Sequence, residues 1–570
     1  MKKIMLGLLG VVLLTGAGAS VSVSAANAKV LASRAWSQVT MEGTYADLKG
    51  YTIANSTYYR LRDVAELFSG TSSQFQVRWN EEQRKVEILN GQAYAGEPGQ
   101  AKPSVKYENY AQKTNADILI DGRPVLVDAY QIEGSTYFRL RDLARLTDFN
   151  LRYDSIEDRI ELSARLPEGA YSLQSAYPVS TQYQSSSEFS RWKEPTHTYL
   201  LADSEGTTRS VFGNDSRSAL TVETYSADHK LQKSEAIPYE LPIFGGFFSG
   251  SNYHYAVYGQ INTEENDAKE VIRIVRYDKS FKRIDSVSVT GGQSYTVSPF
   301  QSGSLRMAEQ GDTLVVHTAR KRYTTDDGLN HQSQLTIIIN TSTMTVSNDL
   351  GRFQKNHVSH SFDQYVTFDG NEHVLVDHGD AYPRSIVLHK GNGTSYQEVD
   401  LFDIPGSTGA NVTGVSIGGF EATTSDYLVA WNSVDHSKVR GYTSFELVGM
   451  ELDQRDIKLS ALPKTTLNES AVREVTLATY SGTDRIGSVP KLIELSGNRL
   501  MVLWQEYDLN GKIGDLKYVR IDEQGTPVEP VRSMPYYRLG EGQPVLNGEQ
   551  VIWYADSVSG RALYTLPAFE

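Results

Sequence analysis

Seven of the eleven histidines fall between His317 and His389, and Asp326, Asp327, Asp363, Asp369, Asp377 and Asp380 crowd the same stretch. Two strings stand out. One runs from His317 through Arg320, Asp326 and Asp327 to His331, and the other is Asp377-His-Gly-Asp-Ala-Tyr-Pro-Arg384. Imidazole and carboxylate side chains converging on one point could bind a divalent cation. They could also supply a general base, His378 or Asp380, beside a cationic oxyanion stabiliser, Arg320 or Arg384. The candidate ligand-binding set is therefore His317, Arg320, Asp326, Asp327, His331, His360, Asp377, His378, Asp380 and Arg384. The same residues suit a structural role, in which Asp377, Gly379, Asp380 and Pro383 shape a tight inter-strand loop and Arg384 pairs with an aspartate. His357 and His360 are a weak pair, because on a strand they face opposite sides. Gly414-Val-Ser-Ile-Gly418 matches a nucleophile elbow in letters only: no helical pattern follows, so Ser416 reads as an ordinary strand or turn residue.

These groups need a scaffold, and from about residue 196 to 570 the sequence supplies almost only strands. Short alternating runs such as Thr313-Leu-Val-Val-His317, Asp426-Tyr-Leu-Val-Ala-Trp431 and Arg499-Leu-Met-Val-Leu-Trp504 are separated by Gly, Asp and Asn turns. The units recur about every 45–60 residues, which suits a six- or seven-bladed β-propeller. A pair of β-sandwiches is the competing architecture. Both histidine-rich strings are expected at strand-to-loop points around a central channel.

The preceding stretch contains an internal repeat. Tyr51-Thr-Ile-Ala-Asn-Ser-Thr-Tyr-Tyr-Arg-Leu-Arg-Asp-Val-Ala-Glu-Leu67 returns as Tyr130-Gln-Ile-Glu-Gly-Ser-Thr-Tyr-Phe-Arg-Leu-Arg-Asp-Leu-Ala-Arg-Leu146, 79 residues later. Phe75-Gln-Val-Arg-Trp-Asn80 returns as Phe149-Asn-Leu-Arg-Tyr-Asp154 after 74. Each copy reads as hairpin, strand, short helix, strand, strand. Asp121-Gly122 is a hairpin turn signal, and apolar residues at 140, 143, 144 and 146 keep helical spacing. Arg60, Arg62, Asp63 and their counterparts Arg139, Arg141 and Asp142 could bind an anion or a sugar, or form ion pairs at the helix start.

The pattern Tyr-x-Ile-x-x-x-x-Tyr-x-x-Leu-Arg-Asp-Leu-Ala resembles the copper amine oxidase N-terminal-like "stalk" domain found in exported proteins of Gram-positive bacteria. Over 35–165, in two copies, the resemblance implies a non-catalytic α+β accessory module. It implies neither copper nor topaquinone: oxidase chemistry needs an Asn-Tyr-acid string and His-x-His, and Asn252-Tyr253-His254 lacks the acid.

Composition narrows the function classes. The chain has 570 residues, a net charge of −14 and no cysteine, so nucleic-acid binding is disfavoured and thiol chemistry is excluded. Residues 26–165 carry 18 basic and 19 acidic side chains, which leaves nearly all the negative charge beyond them. Lys2-Lys3, the apolar run Ile4–Leu14 and the small residues to Ala25 read as a secretory signal peptide spanning 1–25. No later stretch suits a transmembrane span after signal cleavage. The expectation is a secreted protein, free or non-covalently associated with the cell wall, whose domains are the stalk tandem (35–165), a linker (166–195) and a propeller-like domain (196–570). Its expected role is binding or scaffolding toward a cell-wall glycan or an extracellular protein. The alternative is an extracellular polysaccharide hydrolase or lyase using the His/Asp/Arg loops, with a divalent cation as its one conceivable cofactor.

Overall fold

The computed structural model describes residues 29–42, 44–96, 104–177, 192–203, 205–450, 454–557 and 560–569. The expected signal peptide and residues 178–191 of the expected linker lie outside them. The chain divides after Arg165 into two compact units, both dominated by β-structure.

In unit 1 the first copy contributes β1 (Lys29–Arg34), β2 (Gln38–Met41), β3 (Thr44–Tyr45), β4 (Gly50–Ile53), β5 (Ser56–Arg60), α1 (Leu61–Phe68), β6 (Phe75–Asn80) and β7 (Lys85–Asn90). The second contributes β8 (Glu108–Ile120), β9 (Arg123–Ile132), β10 (Ser135–Arg139), α2 (Leu140–Leu146), β11 (Phe149–Asp154) and β12 (Arg159–Ala164). The turn at Asp121-Gly122 has φ of 48° and 78°, values a two-residue hairpin requires and glycine adopts without steric cost.

The two copies are interlocked rather than strung in line. β5 pairs with β10 so that Tyr59 faces Phe138, and β1 pairs with β8 so that Leu31 faces Tyr110. Both partners are 79 residues apart, so each copy pairs with its own counterpart across a local pseudo-twofold axis. These pairings close β1, β4, β5, β10, β9 and β8 into a ring. A cluster repeats the same symmetry: Ala32 and Ala111, Tyr51 and Tyr130, Ile53 and Ile132, Tyr58 and Tyr137. Tyr51 meets Tyr137 edge-on at 5.3 Å and Tyr58 meets Tyr130 at 5.0 Å. The last strands are exchanged: β7 of the first copy runs parallel to β8 of the second, and β12 runs parallel to β2. The apolar faces of both helices complete a shared core with Phe75, Ile88, Phe149 and Leu162.

Unit 2 is a succession of seven antiparallel meanders, at 198–238, 243–290, 296–346, 359–403, 415–478, 485–534 and 545–567. The third and fourth are joined through the single pair Ser333–Ser359. The seventh takes its fourth strand, Ala170–Leu173, from the beginning of the unit, where it pairs with Gly560–Pro567. Residues 170–173, expected in a linker, are therefore a structural strand. One early strand of each meander packs beside an early strand of the next. Ile243–Ser249 meets Leu305–Gln310, which meets Ser359–Asp369, followed by Val415–Ala422, Lys491–Glu494, Val545–Asn547 and finally Thr198–Ala202. Thr208–Asn214 of the first meander touches Ile243–Ser249 and completes the circuit.

Apolar clusters fill the spaces between neighbouring meanders. The space between the third and fourth differs. Its apolar cluster contains only Val315, Ile338 and Leu375 among buried residues. Buried Arg561 ties the seventh meander to the first, holding Asp556 at 2.7 and 3.0 Å, with Glu223 at 3.6 Å and a hydrogen bond to Ser210.

Candidate functional site

The first histidine-rich string runs from within a strand into the loop that follows, which holds Asp326, Asp327 and His331, while most of the second lies within a strand. His317 sits in the middle of Thr313–Arg322, and Asp377, His378 and Asp380 belong to Glu372–Tyr382. Strand alternation explains the direction of His317: it shares a face with Val315, which packs toward Leu375 of the fourth meander. Polar side chains thus occupy the space that hydrocarbons fill elsewhere. His317 Nε2 lies 3.0 Å from Asp377 Oδ2, and its Nδ1 lies 3.0 Å from Thr336 Oγ1. Asp377 also accepts a bond from Ser361, whose hydroxyl accepts from Gln364 at 2.7 Å. His317 and Asp377 are both completely buried.

The remaining candidates divide into buried supports and an exposed rim. Arg320 donates to the carbonyls of Ser294, Gly351 and Arg352, and burial lowers its pKa to about 9. His378 bonds Thr413 at 2.9 Å, and burial depresses its pKa to about 3, so it is neutral. Arg384 donates to the carbonyls of Asp380, Pro405 and Ala410, so the expected pairing with an aspartate carboxylate is replaced by carbonyl bonds. At the rim, Asp327 binds His331 at 2.7 Å, and hydrogen bonds from Thr325 and His331 hold its pKa far below the ordinary carboxylate range. Asp326 occupies the same loop. His331 and His360 stack with ring centres 6.4 Å apart.

His360, like His331, pairs a partly exposed imidazole with a carboxylate, an arrangement that suits proton transfer, and the acid behind it is buried. Its Nδ1 is 3.0 Å from Asp380 Oδ1, while its side chain remains 29% exposed. Asp380 is fully buried and accepts a 2.6 Å bond from Asn411 Nδ2. Nothing in the sequence marks Asn411, because only the fold brings a residue 31 positions away onto Asp380. His360 also has φ of 55°, an uncommon value for a non-glycine residue and one found at functional sites. His357 lies just before the strand that carries His360. Among the described residues, no group of three or more His, Asp or Glu is arranged to hold a metal ion.

Ser416 is a buried residue of Val415–Ala422, as its sequence context suggests. The glycine after it has a packing cause: a Cβ on Gly418 would lie 1.7 Å from the Pro490 carbonyl oxygen. In unit 1, Arg60 Nε donates to Asp63 at 2.7 Å, as expected for an ion pair at the helix start. The second copy differs, since Asp142 accepts from Arg145 at 3.5 Å.

No protein-family model matches the chain, and no curated protein matches it. Loose similarities exist among solved structures. An apocarotenoid oxygenase mutant from Synechocystis aligns at 11% identity and TM-score 0.29, over 61% of this chain and 63% of that one. A quinohemoprotein alcohol dehydrogenase from Comamonas testosteroni aligns at 10% and 0.36, over 71% and 78%. An endo-arabinase from Bacteroides thetaiotaomicron aligns at 10% and 0.26, over 68% and 97%. The chain spans less than two thirds of the length of the oxygenase structures it resembles. Alignments this loose carry no argument about fold or function. Among the described residues, no helix is long and apolar enough to cross a membrane.

Proposed function

We propose that the protein is an exported, non-catalytic binding or scaffold protein, in which a stalk-type tandem presents a seven-bladed β-propeller to a cell-wall glycan or an extracellular protein. The cyclic order of seven meanders, closed by strand 170–173, supports the propeller reading. The observation that carries the non-catalytic reading is the inward engagement of the unit 2 candidates. His317, Asp377, Arg320, His378 and Arg384 are bonded to one another, to neighbouring hydroxyls or to backbone carbonyls. Groups held this way cross-link the interior and are poorly placed to meet a substrate. The exposed rim, with Asp327, His331 and His360, is left for ligand contact. Sedimentation of the full chain with purified cell walls and a polysaccharide panel tests the proposal. Saturable binding without release of soluble fragments supports it, and fragment release overturns its non-catalytic part.

The His360–Asp380 pair favours a second reading, a polysaccharide hydrolase or lyase with His360 as general base. Fragment release by the wild-type chain that disappears in His360→Ala, with unfolding unchanged, would establish it.

A further inference from the structure

Unit 1 contains two clefts, of about 810 and 400 Å³, and the internal repeat maps one onto the other. The first is lined by Arg60, Arg62, Trp79, Ser135 and Thr136. The second is lined by Arg139, Arg141, Tyr153, Ser56 and Thr57. The arginines and the Ser-Thr pairs correspond at an offset of 79, and the aromatic residues at 74. Each cleft takes its arginines and aromatic ring from one copy and its hydroxyls from the other. The β5–β10 register produces this exchange, because Arg60 lies opposite Tyr137 and Arg139 opposite Tyr58. The interlocking of the repeat therefore builds both clefts.

We infer that unit 1 is a two-site receptor for an acidic polysaccharide, each cleft holding one uronic-acid unit of the same chain. Three features of the lining select this ligand. Trp79 is 48% exposed and Tyr153 is 53% exposed, although both lie on strands, so each offers an open ring face of the kind a sugar stacks on. Cations still outnumber acids: in the first cleft Arg60 pairs with Asp63, Arg78 with Glu87 and Lys85 with Asp117, alongside Arg62, Arg84 and Glu66, and only Arg139 and Arg141 are charged in the second. Guanidinium groups match carboxylate geometry in two-point contacts. Arg60 is held in place by Asp63, so one edge of its guanidinium is fixed before a ligand arrives. Ser56, Thr57, Ser135 and Thr136 supply hydroxyls that both donate to and accept from sugar hydroxyls. A neutral glycan would make no use of the guanidinium charge of Arg139 and Arg141, and a plain polyanion would leave the aromatic faces unused. This inference concerns unit 1 alone and does not depend on what unit 2 binds.

Two related sites within one unit predict avidity for a polymer beyond the affinity for its single unit. The test measures binding of the full chain to polygalacturonate, to monomeric galacturonate, to dextran and to polyglutamate. Wild type is expected to bind polygalacturonate at least about tenfold more tightly than the other three. Trp79→Ala or Tyr153→Ala alone should lower polymer affinity about tenfold or more, while monomer affinity changes by about twofold, one cleft remaining. The double variant should lose both. Arg141→Gln, at an exposed position, gives a second route to the same loss in the smaller cleft. Equal binding of polyglutamate or dextran overturns the inference, as does polymer affinity unchanged in the single variants, or no binding of polygalacturonate by wild type. Unfolding curves confirm that each variant is intact. If an alanine variant unfolds, Tyr153→Gln and Arg141→Gln are read instead, under the same criteria.

Discussion

Replacing Asp377 by leucine should destabilise unit 2 by about 2–5 kcal/mol, because two buried donors then lack an acceptor, at about 1–3 kcal/mol each. The structure shows why the cost is high. Asp377 is completely buried, and its loss strands His317 Nε2 and the Ser361 hydroxyl without water to replace it. His317→Leu should cost a similar amount, because it leaves Asp377 unpaired. The double variant fills the third–fourth space with hydrocarbon, as the other inter-sheet spaces are filled, and removes the imidazole and the carboxylate together, so neither is left without the other. Its cost should therefore fall short of the sum of the single costs by about 2–3 kcal/mol. Urea unfolding followed by tryptophan fluorescence measures this, since Trp431, Trp504 and Trp553 are completely buried in unit 2 and report its unfolding. A cost below about 1 kcal/mol for either single variant, or strict additivity in the double, refutes the cross-link reading. Either outcome would return His317 and Asp377 to consideration as groups held for chemistry.

The other predictions concern single positions. His254 stacks on Phe281 at 4.4 Å, its ring nitrogens lack hydrogen-bond partners of good geometry, and burial lowers its pKa to about 4. Below pH 6.5 the unfolded chain takes up a proton there that the folded chain refuses until about pH 4, so stability falls as pH drops through that window. His254→Phe removes this loss and should gain about 2 kcal/mol on wild type between pH 7.5 and pH 5; a pH-independent difference in urea unfolding refutes it. Gly418→Ala forces a Cβ onto the Pro490 carbonyl and should cost about 3 kcal/mol, against about 1 kcal/mol for Ser416→Ala, by thermal unfolding; the reverse order would contradict the packing role. Arg561→Leu should cost about 3–5 kcal/mol by leaving Asp556 and Glu223 buried and unpaired, and a change under about 1 kcal/mol in urea unfolding would show that the closing junction does not rely on it.

The sequence carries local information and only part of the non-local. Duplication is legible because it is written twice, and helix α2 follows from the spacing of Leu140, Leu143 and Leu146. The interlocking is illegible, because the β7–β8 and β12–β2 pairings join segments with no trace of each other in their letters. The histidine-rich region shows the same division. Its composition marks it as unusual, but a strand places His317 inward or outward by parity alone. The useful signal was the alternation itself: Val315 and His317 share one face, so a neighbour contacting Val315 must also meet the imidazole. Asn411 had no such signal, since its role depends on a loop that reaches Asp380 through the fold. Trp79 and Tyr153 were visible as matching positions in the repeat, but their exposure followed only from the register of β6 and β11.

Closure by distant strands links both units to one physical constraint. A sheet that ends in an open strand presents unpaired N–H and C=O groups, a template for association. Unit 1 avoids this in its ring by pairing β1 with β8, strands one repeat apart. Unit 2 limits it by laying Ala170–Leu173 along Gly560–Pro567, nearly four hundred residues further along the chain, so that the outer edge of that sheet is only four residues long. The closing strand is only four residues long, so its hydrogen bonds alone are a weak clasp, and side chains reinforce it. Leu173 is buried in the same cluster as Leu200, Tyr225, Ile552 and Tyr554, from the first and seventh meanders. Arg561 bridges the same junction through Asp556, Glu223 and Ser210. A polar clasp among apolar neighbours costs desolvation, yet it fixes register, because a one-residue slip would turn Arg561 to the opposite face and leave both acids without it. The third–fourth space follows the same logic: where a single ladder pair joins two meanders, a buried polar network helps to specify how they meet.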